Sequence, residues 1–351
     1  MIDFEKEQWF EEMSNDDVIN GLRHPYTIDY VYDGEMGDWK RVPKYTDKFR
    51  IIGELLLKSI AENLEVSSFV NKVLAVRQIR SGEVIRYDKD RDMVSYIVGE
   101  NSQPKVYAED IEQPLTKRTP KERIEQRSEG RYVYPEEVEY SVYPSIKAGE
   151  FLKDIKLTGQ ELAKIQRKAY DSMQYQQDND LINLLLKAGE ENQIEANPME
   201  IIQSLIYKTE AFGDWPCASI LMNVEDANFI RENRDKFPGV KLTEDSPSSV
   251  VGKVAKYGYF GNYNKIALFT QSQSMTEALR NEEKRDLVPK DTMIAVAPKE
   301  YVGGAPVRIN WMSNPNEEEI VGRRVFGWFY YKLMSMLVIN SKTVVVGKIK
   351  R

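Results

Sequence analysis

Among side chains that could carry nucleophilic, acid–base or metal chemistry, the sequence holds one histidine, His24, and one cysteine, Cys217. A zinc cluster of Cys and His ligands, a Cys–His dyad and a Ser-His-Asp triad lack the raw material, unless a triad used His24 itself. His24 precedes Pro25 in an aromatic segment, where packing is the expectation. Cys217 follows Trp215-Pro216 and leads into an apolar run, the setting of an inert core thiol. A lone cysteine forms no intrachain disulfide, which fits a reducing compartment.

Carboxylates are plentiful, so a carboxylate-dependent hydrolase acting on glycans stands as one reading. It needs two acids in different environments of one cleft. The candidate clusters are Asp16-Asp17, Asp88/Asp90/Asp92, Glu109-Asp110, Glu136-Glu137 and Glu317-Glu318-Glu319. Each sits among polar turn residues, so a solvated face is expected. The alternating aspartates 88, 90 and 92 open like a calcium loop, but Gly99 stands where the closing bidentate acid belongs. Gly258-Tyr-Phe-Gly261 and Val302-Gly-Gly304 lack the strand–loop–helix context of a phosphate cradle and are expected to mark turns. Arg323-Arg324 and Lys348-Ile-Lys-Arg351 are basic, yet no positive stripe interleaved with aromatics runs on from them. The 351 residues carry 49 basic and 56 acidic side chains, a net charge of -7, which argues against nucleic-acid recognition. No metal, cofactor or catalytic activity is expected.

The first ten residues alternate charge and aromatics unlike a signal peptide, and no apolar run approaches the roughly 18 residues of a membrane span. Residues 1–48 form an arm rather than a domain: Gly21, Gly34, Gly37, Pro25 and Pro43 are scattered among Trp9, Phe10, Tyr26, Tyr30, Tyr32 and Trp39. Such a segment needs a surface to lie on, its own chain or a neighbouring subunit. Phe49, Ile52, Leu55, Leu56 and Ile60 mark one face of a helix over 47–64. Segments 73–86 and 93–98 flank the charged Tyr87-Asp-Lys-Asp-Arg-Asp92, as a long hairpin with a solvated tip or a surface meander. Residues 107–130 are a charged crossing or short helix, and 132–143 alternate as a half-buried strand.

Thr158 and Glu161 make a capping box for a helix running to about 187, with Gly189 as its stop. At 1.5 Å per residue, about 30 residues span about 45 Å, the length of a spine. Asn197-Pro198 announces a second helix and Asn223 a third, with 218–222 between them as a buried strand. A mixed domain of 208–300 follows from that order. Strands are expected at 293–297 and 307–312. The run 320–346 is apolar on both alternating faces, so the strand is buried on both sides or covered by assembly.

This order of elements resembles the major capsid protein of tailed double-stranded DNA bacteriophages, the Hong Kong 97-type α+β fold. The resemblance is carried by the helix beginning near Thr158. It is also carried by the closing region, Val307-Arg-Ile-Asn-Trp311, Glu319-Ile-Val-Gly-Arg-Arg-Val-Phe-Gly-Trp-Phe329 and Met336-Leu-Val-Ile-Asn340. It implies an N-terminal arm at 1–48, an extended loop at 77–104 and a peripheral domain with the spine helix at 105–207. An axial domain would take 208–300, and closing peripheral strands 301–351. It further implies pentamers and hexamers of the chain in an icosahedral virion shell assembled in the host cytoplasm. Implied partners are scaffolding, portal and decoration proteins and non-specific contact with packaged double-stranded DNA, without a membrane. The intersubunit contacts expected with it are Trp9, Phe10, Tyr30, Trp39, Asp88, Lys89, Arg91, Arg324, Trp328, Phe329 and Tyr331. An encapsulating nanocompartment on the same fold is the related alternative.

Overall fold

A computed structural model of the chain describes residues 21, 26–34, 37–80, 84–88, 95–98, 127–129, 132–134, 137–143, 145–147, 155–213, 215–242, 258–271, 276, 279, 286–320 and 323–350. The architecture is mixed α and β, in two compact units. The first comprises Met1–Leu64, Ser141–Met173 and Trp311–Lys332, and the second Glu65–Tyr140, Gln174–Asn310 and Leu333–Arg351.

In the first unit, β1 (Tyr26–Asp33) and β2 (Asp38–Tyr45) form a two-stranded antiparallel hairpin, and α1 (Asp47–Ser67) follows. Phe49, Ile52, Leu57, Ile60 and Leu64 of α1 are buried with Trp328 and Tyr330 of β17 (Arg323–Ser335). Ala169 and Met173, from the first half of α3 (Ile155–Ala188), complete that core. Gly53 makes the approach of α1 to β17 feasible: a Cβ there would lie 2.1 Å from Trp328 Cδ1. Strand β8 (Glu137–Val142) neighbours β17 in its sheet, and β9 (Ser145–Lys147) pairs antiparallel with β17 at Val325, Phe326 and Gly327.

The second unit is organised by a seven-stranded sheet. Its strands are β10 (Gln193–Ala196), β11 (Ser219–Met222), β12 (Val240–Leu242), β13 (Tyr259–Tyr263), β14 (Ile266–Phe269), β15 (Thr292–Val296) and β19 (Val344–Ile349). Their spatial order is β10-β19-β15-β11-β14-β13-β12. All residues of β11 and β15 are buried, as fits strands covered on both faces. Helix α4 (Ile201–Gly213) packs Ile201, Ile202 and Leu205 into that core, and α5 (Val224–Glu232) adds Ala227 and Ile230. Asn197 Oδ1 accepts from the amides of Met199 and Glu200, and Asn223 Oδ1 from that of Glu225, so both residues cap as their types predict.

Also in this unit, β4 (Val84–Asp88), β5 (Ser95–Val98), β6 (Arg127–Glu129) and β7 (Tyr132–Tyr134) form a four-stranded sheet in the order β5-β4-β7-β6. The start of β16 (Gly303–Ile320) pairs in parallel with β3 (Ala75–Gln78) and antiparallel with β18 (Leu337–Val338). A Cβ on Gly303 would meet the Leu337 carbonyl oxygen at 1.9 Å, so close approach of two backbones fixes glycine there.

Several expectations need correction. Helix α3 begins at Ile155, so Thr158 lies inside it; the helix-compatible residues upstream extend it past the expected cap. The sheet draws β10 and β19 from outside 208–300, and β19 joins it rather than the closing strands. Gly258-Tyr-Phe-Gly261 enters strand β13, where a Cβ on Gly261 would lie 2.4 Å from the Lys241 carbonyl oxygen. Of the expected long hairpin, β4 and β5 pair from Val84↔Val98 to Tyr87↔Ser95, while β3 leaves to pair with β16. The expected charged crossing falls almost wholly outside the described residues.

Candidate subunit interface

The hairpin β1–β2 arises because two alternating segments flank Gly34 and Gly37, the latter at φ 67, a left-handed turn position that glycine adopts without strain. Its register sorts the residues by chemistry. Tyr26/Tyr45, Tyr30 and Tyr32/Trp39 share one face. Thr27/Lys44, Asp29 and Val31 share the other. Cross-strand edge-to-face ring pairs fix the first face, with centroids 5.5 Å apart for Tyr32–Trp39 and 6.3 Å for Tyr26–Tyr45. Each such pair contributes roughly 0.5–1.5 kcal/mol beyond area burial. At the hairpin's base, Tyr45 stacks on Phe49 and Phe49 on Trp328. Tyr30, at 64% exposure, and Trp39, at 63%, lie in solvent together with Val31 and Tyr32.

Strand β17 separates the expected contact residues by alternation. Trp328 is fully buried; its indole N–H donates to the Phe49 carbonyl at 2.9 Å, and the Tyr330 hydroxyl donates to the Gly53 carbonyl at 3.1 Å. Trp328 therefore leaves the set of intersubunit residues, because its own subunit encloses it. Phe329 and Tyr331 lie on the opposite face, half-buried and stacked on each other at 5.8 Å. The Tyr331 hydroxyl reaches the Met312 sulfur at 3.6 Å, and Met312 is exposed. Asp88 ends β4 and Arg324 lies near the start of β17. Trp9, Phe10, Lys89 and Arg91 fall outside the described residues, as does His24.

The buried acids serve internal contacts. Glu137, expected on a solvated face, is buried and ion-paired at 2.5 Å with Arg308, itself largely buried. Asp178 of α3 is fully buried and accepts from Ser68 Oγ at 2.6 Å, the Phe69 amide at 2.8 Å and Gln174 Nε2 at 3.2 Å. It thereby holds the N-terminus of α2 (Phe69–Val73). Burial raises the Asp178 carboxyl above the ordinary carboxylate range, opposed by those donors and by the Lys72 charge. Lys72 donates to the Ser67 carbonyl at 2.7 Å and lies over the Phe69 and Phe269 rings; desolvation lowers it to about 8, against the pull of Asp178. Cys217 is buried, and desolvation pushes its thiol up to about 12. Among the described residues, no group of three or more His, Cys, Asp or Glu is placed to hold a metal ion, and no helix is long and apolar enough to cross a membrane.

The amphipathic hairpin escaped the sequence reading, because Pro43 and the glycines look like breaks in a coil. The signal was present: alternating residues on both sides of Asp33-Gly34 and Gly37-Asp38.

No protein-family profile matches the chain, and no curated protein matches it. Solved structures do. A virus-like particle from Pyrococcus furiosus is similar at 11% identity and TM-score 0.44, over 86% of this chain and 100% of that one. A prophage protein from Escherichia coli CFT073, described as a capsid protein, is similar at 10% identity and TM-score 0.46, over 85% and 99%. The SrpI encapsulin of Synechococcus elongatus PCC 7942 is similar at 11% identity and TM-score 0.44, over 80% and 86%. These are the classes of protein that the element order resembles.

Proposed function

We propose that the chain is a structural shell subunit of the Hong Kong 97-type, copies of which associate as pentamers and hexamers into a closed icosahedral particle around double-stranded DNA. The observation that carries this reading is the aromatic face of β1–β2, whose Tyr30, Tyr32 and Trp39 are exposed on a hairpin that stacks on Phe49 at its base. A two-stranded hairpin alone is marginal in water, and exposed aromatic clusters mark interaction surfaces. The long helix α3 and the strands β16 and β17 supply the spine and closing strands that such a subunit needs. Segment 77–104 acts as the extended loop toward a neighbour, and residues 1–48 as the arm. Heterologous contacts that close on themselves give rings and then shells.

Size-exclusion chromatography and electron microscopy of the purified chain, alone and with phage assembly partners, test this reading. Capsomer rings or symmetric particles are expected, with double-stranded DNA inside particles from infected or induced cells. Protein cargo in place of DNA would shift the reading to a nanocompartment. Monomers under both conditions would overturn it.

A further inference from the structure

Helix α2, of the second unit, has 5 residues, too few to hold a helix by themselves. Phe69, Val70 and Val73 bury it, and the chain passes from it through buried Leu74 directly into β3. Its N-terminus is held from α3, because Asp178 Oδ1 accepts from Ser68 Oγ at 2.6 Å and from the Phe69 amide at 2.8 Å. The other carboxylate oxygen, Oδ2, takes a longer contact, 3.2 Å from Gln174 Nε2. The two oxygens therefore have separate tasks. Gln174 is itself buried, and its Oε1 accepts no hydrogen bond among the described residues. A buried acceptor without a donor is unfavourable, and the carboxyl one helical turn away can supply that donor once it carries a proton.

We propose that Asp178 and Gln174 form a proton-operated switch beneath the start of α2. The ionised carboxylate accepts from Gln174 Nε2. On taking up a proton from solvent at Oδ2, the acid donates to Gln174 Oε1 after a half-turn of the side-chain amide. Both states leave Oδ1 to Ser68 and Phe69, so α2 stays capped while the charge beneath it changes. Burial favours proton uptake, since a carboxylate away from water is disfavoured; the hydrogen-bond donors and the Lys72 charge oppose it. The titratable groups that face Asp178 are Lys72 of α2 and Tyr140 of β8, whose hydroxyl donates to Asp180 at 3.0 Å. Lys72 donates to the Ser67 carbonyl and lies over the Phe69 and Phe269 rings. An uncharged Asp178 deprives the Lys72 ammonium of a counter-charge, so proton uptake at the acid eases proton loss at the lysine.

The test compares the unaltered full chain with Asp178→Asn, Asp178→Ala and Gln174→Met. Asparagine has the shape of the protonated acid: its Oδ1 can keep both acceptor contacts, and its Nδ2 can donate to Gln174 Oε1. Hydrogen exchange at 69–73 should be as slow in Asp178→Asn as in the unaltered chain. In Asp178→Ala it should quicken about fivefold or more, the scale of a lost cap. Folding stability against pH reads the charge. The folded carboxyl keeps its proton to higher pH than the unfolded one. The unaltered chain should therefore lose ground to Asp178→Asn as pH rises above the ordinary carboxylate range, by up to about tenfold in folding equilibrium per pH unit. The carbon-13 shift of the Asp178 carboxyl gives the titration midpoint in the unaltered chain directly. Gln174→Met removes one bond from each protonation state, so that midpoint should move by less than about half a unit. A larger move in either direction means that Gln174 serves one state alone, and overturns the switch. A carboxyl that stays ionised until the chain unfolds in acid, or Asp178→Asn amides that exchange like those of Asp178→Ala, would overturn it as well.

Discussion

At the scale of single residues, Trp328 and Gly53 act as one unit: the indole occupies the space where any other residue would have a Cβ. Trp328→Ala should cost about 3–5 kcal/mol, the range for removing a buried large aromatic, with the Phe49 carbonyl also losing a donor. Gly53→Ala should lower the melting temperature as well, because the indole has no room to retreat. Unchanged melting in both variants would show that the stack does not hold α1. Lys72 supplies a pH-dependent counterpart. Its ammonium is lowered from 10.5 to about 8, so between those values the unfolded chain binds the proton that the folded chain has shed. Stability from this group therefore rises as pH climbs through that window. Chemical denaturation at pH 7.5 and 10.5 should show the unaltered chain gaining relative to Lys72→Met; a pH-independent difference between them would refute the assignment. Residue types alone announced little of this. The run around Trp328 reads as apolar on both faces, and one position separates the enclosed Trp328 from the outward Phe329. Glu137 looked solvated because its partner, Arg308, is 171 residues away in sequence.

At the scale of elements, helices were the legible part. Phe49, Ile52 and Ile60 gave α1 its face, and an uninterrupted stretch after Glu161 gave most of α3. Asn197 and Asn223 cap as their types demand, and Asn197→Ala should cost about 1 kcal/mol in a denaturation experiment. Strands were harder to read where backbone proximity overrides composition. Strand β16 runs for 18 residues through Gly303, Gly304, Pro306 and Pro315, which look like interruptions, and its parallel partner β3 is over 200 residues earlier. The hairpin β1–β2 failed for the same reason. Its pairing is local, with no third strand among the described residues, so its stability in the isolated subunit should be low. Hydrogen exchange of the amides in 26–45 is expected to be far faster than in β11 and β15 before assembly, and to slow markedly afterwards. Protection equal to β11 in the unassembled chain would mean that the hairpin is already covered.

At the scale of the whole molecule, the seven-stranded sheet is closed by segments remote in sequence. Strand β19 sits between β10, its parallel partner, and β15, its antiparallel one, with Val344, Val345 and Val346 buried. Removing 344–351 would strip the central β15 of one ladder and leave β10 without a neighbour, and each buried valine would give up about 1.5–3 kcal/mol of burial. Those losses approach the 5–15 kcal/mol by which domains are stable, so the truncated chain should lose its cooperative thermal transition. Removing 1–44 is a contrasting case: it takes away the hairpin's exposed rings but keeps Tyr45, Phe49 and Trp328 in their stack. That chain should keep its transition and its far-UV circular dichroism while losing the ability to assemble. The two truncations separate folding from association, since one removes buried valines of the sheet and the other mainly exposed rings, with buried Gly21 beside Lys48 and Ile52 as its loss to the core. If the chain lacking 1–44 melted non-cooperatively, the hairpin would belong to the subunit's own core, and its aromatic face would have been read as an interface in error.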